Sequence, residues 1–175
     1  MRPLFLVGYM GCGKSTLARK LGRRLGIAVV DTDRAVEERE GATVVDIFRY
    51  EGEERFRQLE REVLEQVIAD AQPVIVSTGG GLPVWRDNME RMNRAGITVY
   101  LRRSAGQIAR RLSPYGRQKR PRLRGLSDSE LVGFMSRDIA EREPFYAQAR
   151  CILDCDRFSD EELVENILNN IKIEK

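Results

Sequence analysis

The sequence predicts an α/β fold, a three-layer sandwich in which helices cover both faces of a five-stranded parallel sheet. Three observations predict it. First, five apolar runs of strand length alternate with helical segments: Pro3-Leu4-Phe5-Leu6-Val7, Ile27-Ala28-Val29-Val30, Val74-Ile75-Val76-Ser77-Thr78, Ile97-Thr98-Val99-Tyr100-Leu101 and Cys151-Ile152-Leu153-Asp154. That alternation is the pattern of a parallel sheet buried on both sides. Second, the first run turns into a helix through the glycine-rich stretch Gly8 to Thr16. Third, Gly8 to Ser15, Asp31 to Asp33 and Ser77 to Gly81 all fall at the carboxyl ends of strands, where ligands bind in such sheets. Three clusters on one rim define a site that no single cluster would establish.

The elements follow in order. After Leu17-Ala18-Arg19-Lys20-Leu21, the stretch Gly22 to Gly26 closes a turn into the second strand, which Asp31-Thr32-Asp33 ends. Residues 34 to 40 read as a short helix stopped at Gly41. From Asp46 to Ala71 the chain reads as helix, with Phe56, Leu59, Val63 and Val67 recurring at three and four; Pro73 breaks it. Gly79-Gly80-Gly81 ends the third strand. Trp85 to Ala95 reads as helix, capped by Gly96. Ser104 is the N-cap of a helix to Leu112. Residues 113 to 127 hold Pro114, Gly116, Pro121 and Gly125, which marks a loop far too long for a simple turn. Asp128 opens a helix to about Ala149, in which Pro144 marks a kink or an end. Asp160 to Ile171 is the last helix.

The length of 175 residues points to one domain, which at that size buries about 70% of its unfolded surface. The division expected is a core of about 1–112 and 128–175 with a lid of about 113–127. A net charge of +3 with 33% charged residues gives no global argument for nucleic acid. No apolar run approaches the roughly 18 residues that span a membrane, and the chain enters a strand at once, with no signal peptide expected. Cys12, Cys151 and Cys155 match no disulfide framework or zinc site, which fits a reducing, cytoplasmic compartment. With no histidine in the chain, any general base is a carboxylate, Lys, Tyr or Cys. No obvious exposed apolar stripe is present, so a monomer is expected.

Gly8-Tyr9-Met10-Gly11-Cys12-Gly13-Lys14-Ser15-Thr16 fits the phosphate-loop pattern of Gly, four residues, Gly-Lys-Ser. Its glycines let backbone N–H groups approach phosphate oxygens, and the helix N-terminus that follows favours an anion. Lys14 would meet the β- and γ-phosphates of a nucleotide, and the Ser15 hydroxyl would take a Mg²⁺ site. The plain alternative is a glycine-rich turn with an exposed lysine. Asp31 and Asp33 alternate on an extended segment. One can serve the metal and the other a second substrate, whose hydroxyl proton it can accept; alternatively, Asp33 merely caps a helix. Three consecutive glycines, Gly79 to Gly81, suggest a backbone lying against a ligand rather than a flexible connection. Arg57 and Glu60 read by themselves as a surface ion pair. Arg142 can clamp a carboxylate through two parallel hydrogen bonds. From Arg91 to Arg124 there is no acidic residue; centred on the Pro/Gly-broken loop, this basic run reads as a lid that closes over the nucleotide.

Together these motifs resemble the shikimate kinase family. The matches are Gly8 to Thr16, including Met10; the pair Asp31 and Asp33; the Phe-Arg-x-x-Glu pattern at Phe56, Arg57 and Glu60; the Gly79 to Gly81 run; Arg120-Pro121 in the lid; and the Arg-x-Pro-x-Tyr pattern at Arg142, Pro144 and Tyr146. They occur in order across nearly the whole chain. The resemblance implies ATP-dependent phosphorylation of the 3-hydroxyl of shikimate, on the route to chorismate and the aromatic amino acids. It implies that Asp33, Arg57, Gly79, Gly80, Gly81 and Arg142 hold shikimate, and that Ser15 and Asp31 serve Mg²⁺. It further implies that Gly11, Cys12, Gly13, Lys14, Ser15 and Thr16 bind nucleotide, that Arg120 closes on the phosphates, and that Arg111 or Arg110 stacks on adenine. Asp33, Lys14 and Arg120 are the catalytic set. The chain departs from the family where Arg122-Leu123 stands in place of two leucines after Arg-Pro, and its adenine-side loop is poorly marked around Asp154 to Arg157. Two alternatives share fewer features. A kinase of gluconate or of a nucleoside monophosphate uses the phosphate loop and a lid but does not call for Arg57, Gly79 to Gly81 and Arg142 together. A nucleotide-dependent RNA-binding module would interleave aromatic residues with the lid's basic residues, where only Tyr115 does so.

Overall fold

The computed structural model describes residues 2–113, 116–117, 123 and 125–173. Five strands form one parallel sheet, ordered β2-β3-β1-β4-β5: β1 (Leu4–Val7), β2 (Ala28–Asp31), β3 (Val74–Ser77), β4 (Ile97–Arg102) and β5 (Cys151–Asp154). Every residue of β1 and β3 is buried. Successive strand side chains point to opposite faces, so both faces of the sheet centre are covered, as the continuous apolar runs predict.

From β1 the chain runs to β2 at one edge, returns through β3, and then crosses over β1 to β4 and β5, so the end of β1, between β3 and β4, is the switch point where such sheets bind ligands. The phosphate loop occupies that point. It feeds α1 (Lys14–Leu25), which packs on β1, β2 and β3 and against the last helix, α8 (Asp160–Ile173). The register Asp31↔Ser77 and Leu6↔Ser77 aligns the three strand ends side by side, so the three clusters share one rim.

The main core spans the sheet and its helices. A second core, of Val36, Ile47, Phe56, Leu59 and Val63, lies under α2 (Thr32–Glu40), α3 (Val44–Tyr50) and α4 (Gly52–Asp70). It anchors the helix that carries Arg57. The remaining helices are α5 (Asn88–Ala95), α6 (Ala105–Arg111) and α7 (Asp128–Tyr146).

Four element readings need correction. The helix expected from Asp46 to Ala71 is two helices. Thr43 caps the first, accepting from Asp46 N–H, and Gly52, at φ 87°, breaks the chain between them. The α1 helix runs through Gly22 to Leu25 and is closed only at Gly26, because Gly22 lies against Val29 where a side chain would not fit. Trp85 precedes its helix; a short 3₁₀ turn, Leu82–Val84, connects Gly81 to it. The α7 helix ends at Tyr146, three residues short of expectation, and passes through Pro144 without stopping there. Its start is as read, with Ser127 and Glu130 forming a reciprocal capping box.

Candidate active site

The phosphate loop is built by three glycines with positive φ, Gly8 (139°), Gly11 (79°) and Gly13 (112°), a region that side chains oppose. Gly13 is the N-cap of α1, so the first N–H groups of that helix face outward from the loop. Lys14 is buried, and its Nζ donates to the Gly8 and Tyr9 carbonyls at 2.7 and 2.9 Å. Arg103, also buried, donates from Nε to the Cys12 carbonyl at 3.1 Å and pins the loop from β4's side. A cavity of about 400 Å³ lies over the loop, lined by Gly11, Gly13, Lys14, Ser15, Thr16, Asp31, Asp33, Gly79, Gly80 and Arg111 among others. Of the nucleotide residues expected in the loop, Cys12 alone is absent from this lining; its side chain is fully buried.

Ser15 Oγ donates to Asp31 Oδ2 at 2.7 Å and lies 3.1 Å from Ser77 Oγ. Hydroxyl and carboxylate oxygens are the donors that Mg²⁺ takes, usually one or two from protein with the rest from phosphate and water. The pair fits that ion, and no cluster of three or more acidic, Cys or His ligands exists among the described residues. Asp31 also caps α2, accepting from Arg34 N–H. The capping role weighed for Asp33 therefore falls to Asp31, which frees Asp33 from that duty.

Asp33 sits in the first turn of α2 and points inward. Its Oδ1 and Glu60 Oε1 are both buried with no hydrogen-bond partner. A methyl group on Gly79 would collide with both oxygens, so that glycine exists to admit two carboxylates. Burial raises Asp33 above the usual carboxylate range, with the Asp31 charge adding to it. Burial, then the Asp33 charge, pushes Glu60 up to about 8. The pair thus retains a proton near neutrality. Glu60 in turn accepts a short hydrogen bond from Arg57 Nη1, while Arg57 Nη2 donates to Glu53 at 3.1 Å. Arg57 is not the surface residue that its spacing alone suggested: only 13% of its side chain is exposed.

Across the groove, Arg142 on α7 donates from Nη1 to the Gly80 carbonyl at 3.3 Å, and Tyr146 Oη donates to the same oxygen at 2.6 Å. Arg57, Gly81 and Arg142 line a second cavity of about 570 Å³, together with Glu53, Glu54, Val84, Trp85, Asp138 and Glu141. Gly81 must lack a side chain because the Arg57 guanidinium occupies that space. The Gly79–Gly81 backbone therefore lies between the cavity over the phosphate loop, which Gly79 and Gly80 line, and the second cavity, which Gly81 lines, with Asp33 beside it.

Of the two arginines considered for the base, Arg111 lies in the nucleotide cavity, 3.9 Å from Asp160, whereas Arg110 turns back to the Gly106 carbonyl of its own helix. Much of the basic run is neutralised by acids elsewhere in sequence: Arg91 by Glu65 and Asp87, Arg94 by Glu90, Arg102 by Asp154, Arg117 by Asp128. Arg120 lies outside the described residues. Glu54 and Asp138 are not singled out by the sequence reading, while Ser77, Trp85 and Arg103 enter it only as part of a strand end, a helix and the basic run. Only Asp138 left a signal there, its spacing of four from Arg142 on a helix.

A phosphate loop at the switch point of a parallel sheet, beside an arginine-lined cavity, defines a phosphate-loop kinase of small molecules. The shikimate kinase family model matches residues 10–172. Shikimate kinase of Bacteroides thetaiotaomicron is 41% identical over 172 residues, covering 98% of this chain and 97% of its own. The crystal structure of shikimate kinase from that organism superposes with a TM-score of 0.90 at 40% identity over 98% of both chains. The shikimate complex of shikimate kinase from Acinetobacter baumannii gives 0.88 at 30% identity, covering 100% of this chain and 95% of that one. The chain belongs to the shikimate kinase family.

Proposed function

We propose that this chain transfers the γ-phosphoryl group of ATP to the 3-hydroxyl of shikimate, with Arg57, Arg142 and the Gly79–Gly81 backbone holding the acceptor. The observation that carries this reading is the placement of two guanidinium groups, their side chains only 13% and 12% exposed, from α4 and α7 in one cavity, next to the phosphate loop. Shikimate brings one carboxylate and three hydroxyls. Two arginines fit the carboxylate, each charge-assisted hydrogen bond contributing roughly 1.5–3 kcal/mol. Asp33 fits the hydroxyl that reacts.

The reaction forms a bond from the acceptor oxygen to Pγ and breaks the bond from Pγ to the bridging oxygen of ADP. Asp33 orients the hydroxyl and accepts its proton; the raised proton affinity of this buried carboxylate suits that role. Lys14 turns from the loop carbonyls to the β- and γ-phosphate oxygens, and the loop N–H groups hold them. Ser15 and Asp31 would hold Mg²⁺, which would supply charge to offset that of the phosphates. Arg111 packs on the adenine. Arg120 belongs to a lid of about 113–127 that closes on the transferring group, raising kcat rather than acceptor affinity. The enzyme acts as a monomer in the cytoplasm, a compartment that the thiols of Cys12 and Cys155 suit. Among the described residues, no helix is long and apolar enough to cross a membrane.

The test is ADP release from ATP and Mg²⁺ with shikimate, gluconate or nucleoside monophosphates as acceptor. Strong stimulation by shikimate alone is expected; stimulation by another acceptor would overturn the substrate assignment while leaving the phosphate loop in place.

A further inference from the structure

The carboxylate of Asp138 stands where the two halves of the site meet. It is 5% exposed and lies on α7, one turn before Arg142. Its Oδ1 accepts from Arg142 Nε at 3.1 Å, and its Oδ2 accepts from the Tyr9 hydroxyl at 2.7 Å. Tyr9 is a buried residue of the phosphate loop whose carbonyl also receives Lys14. The Arg142 guanidinium lies 5.6 Å from the centre of the Tyr9 ring. A backbone carbonyl, that of Gly80, takes Nη1 of the same arginine.

An arginine carries about 2 kcal/mol of rotamer entropy, and a carboxylate binds best to a fork already aimed at it. Holding Nε at one point and Nη1 at another fixes the plane of the guanidinium, which lines the cavity. Against this, the negative charge of Asp138 opposes an incoming anion. Orientation wins if the hydrogen-bonded geometry, rather than the charge, is what the site needs.

We propose that Asp138 is a positioning residue for acceptor binding: it aims Arg142 at the acceptor carboxylate and is itself held by the Tyr9 hydroxyl of the phosphate loop. This rests on the reading of Arg142 as a carboxylate clamp.

The test compares Asp138→Ala, Asp138→Asn, Tyr9→Phe and Arg142→Ala in steady-state kinetics, each with a thermal melt. Asp138→Ala is expected to raise KM for shikimate about tenfold while KM for ATP stays within about twofold. Asp138→Asn, whose amide oxygen still accepts from Arg142, is expected to stay within about threefold of wild type. Tyr9→Phe is expected to raise the same KM about threefold and to add less than about twofold to Asp138→Ala. Four results overturn the proposal. The first is Asp138→Ala leaving KM for shikimate within twofold while Arg142→Ala raises it; the clamp reading then survives. The second is Asn behaving like Ala, which makes the charge rather than the geometry decisive. The third is a joint rise in KM for both substrates with a lower melting temperature, which is a structural role alone. The fourth is Arg142→Ala leaving KM for shikimate unchanged, and then the clamp reading falls as well. If the Ala variant does not fold, Asp138→Asn decides: a rise in KM above tenfold contradicts the assignment.

Discussion

Asp33 and Glu60 bring two carboxylates together against Gly79, and each has a buried oxygen without a partner. The pair therefore keeps a proton that an exposed pair would lose. Glu60 is raised from the usual carboxylate range to about 8. Because the folded form holds this proton more tightly than the unfolded chain, the stability it contributes is full below the unfolded pKa and is lost as pH rises through about 8. Glu60→Gln should flatten that decline: between pH 5 and 9 the wild type is expected to lose on the order of 1 kcal/mol more than the variant in denaturant titrations. An equal slope in both would mean that Glu60 is already ionised at pH 5. Asp33 carries a different prediction. Asp33→Asn keeps the shape but cannot accept the hydroxyl proton, and kcat is expected to drop by roughly 10². Unchanged activity would show that no base is required at this position.

At the scale of elements, the site depends on how closely three segments approach. The link from β3 to the 3₁₀ turn brings Gly79 against Asp33 and Glu60 and Gly81 against Arg57. Helix α4 can present Arg57 there because Phe56, Leu59 and Val63 anchor its other face in the second core. Gly79→Ala is thus expected to displace the two carboxylates and reduce kcat/KM for shikimate by at least about 10², while nucleotide binding, measured by calorimetry with ADP, changes much less. Comparable losses for both ligands would mean that the strand end collapses as a unit.

At the scale of the molecule, the sheet was legible because burial on both faces leaves continuous apolar runs, and the rim was legible because glycines and aspartates interrupt those runs at strand ends. Phe56 to Val67 announced a buried helix face by its spacing. What the sequence concealed depends on partners distant along the chain. Arg57 looked like half of a surface pair, since nothing local says that Glu60 faces Asp33 and Gly79. The basic run looked like one patch, since the acids that neutralise Arg91, Arg102 and Arg117 come from other elements. The helix that passes Pro144 reflects tertiary packing overriding local preference, whereas the break at Gly52 is local, a glycine at φ 87° inside an otherwise helical pattern.

The central claim is that Arg57 and Arg142, from two different helices, read the acceptor's carboxylate in one cavity. The most direct measurement is the ratio of kcat/KM for shikimate to that for its methyl ester, in the wild type and in Arg57→Ala and Arg142→Ala. Loss of a charge-assisted contact at each arginine predicts a wild-type ratio of about 10² or more that falls by roughly tenfold in either variant. A ratio that survives intact in both variants would contradict the account, because some other group would then be binding the carboxylate.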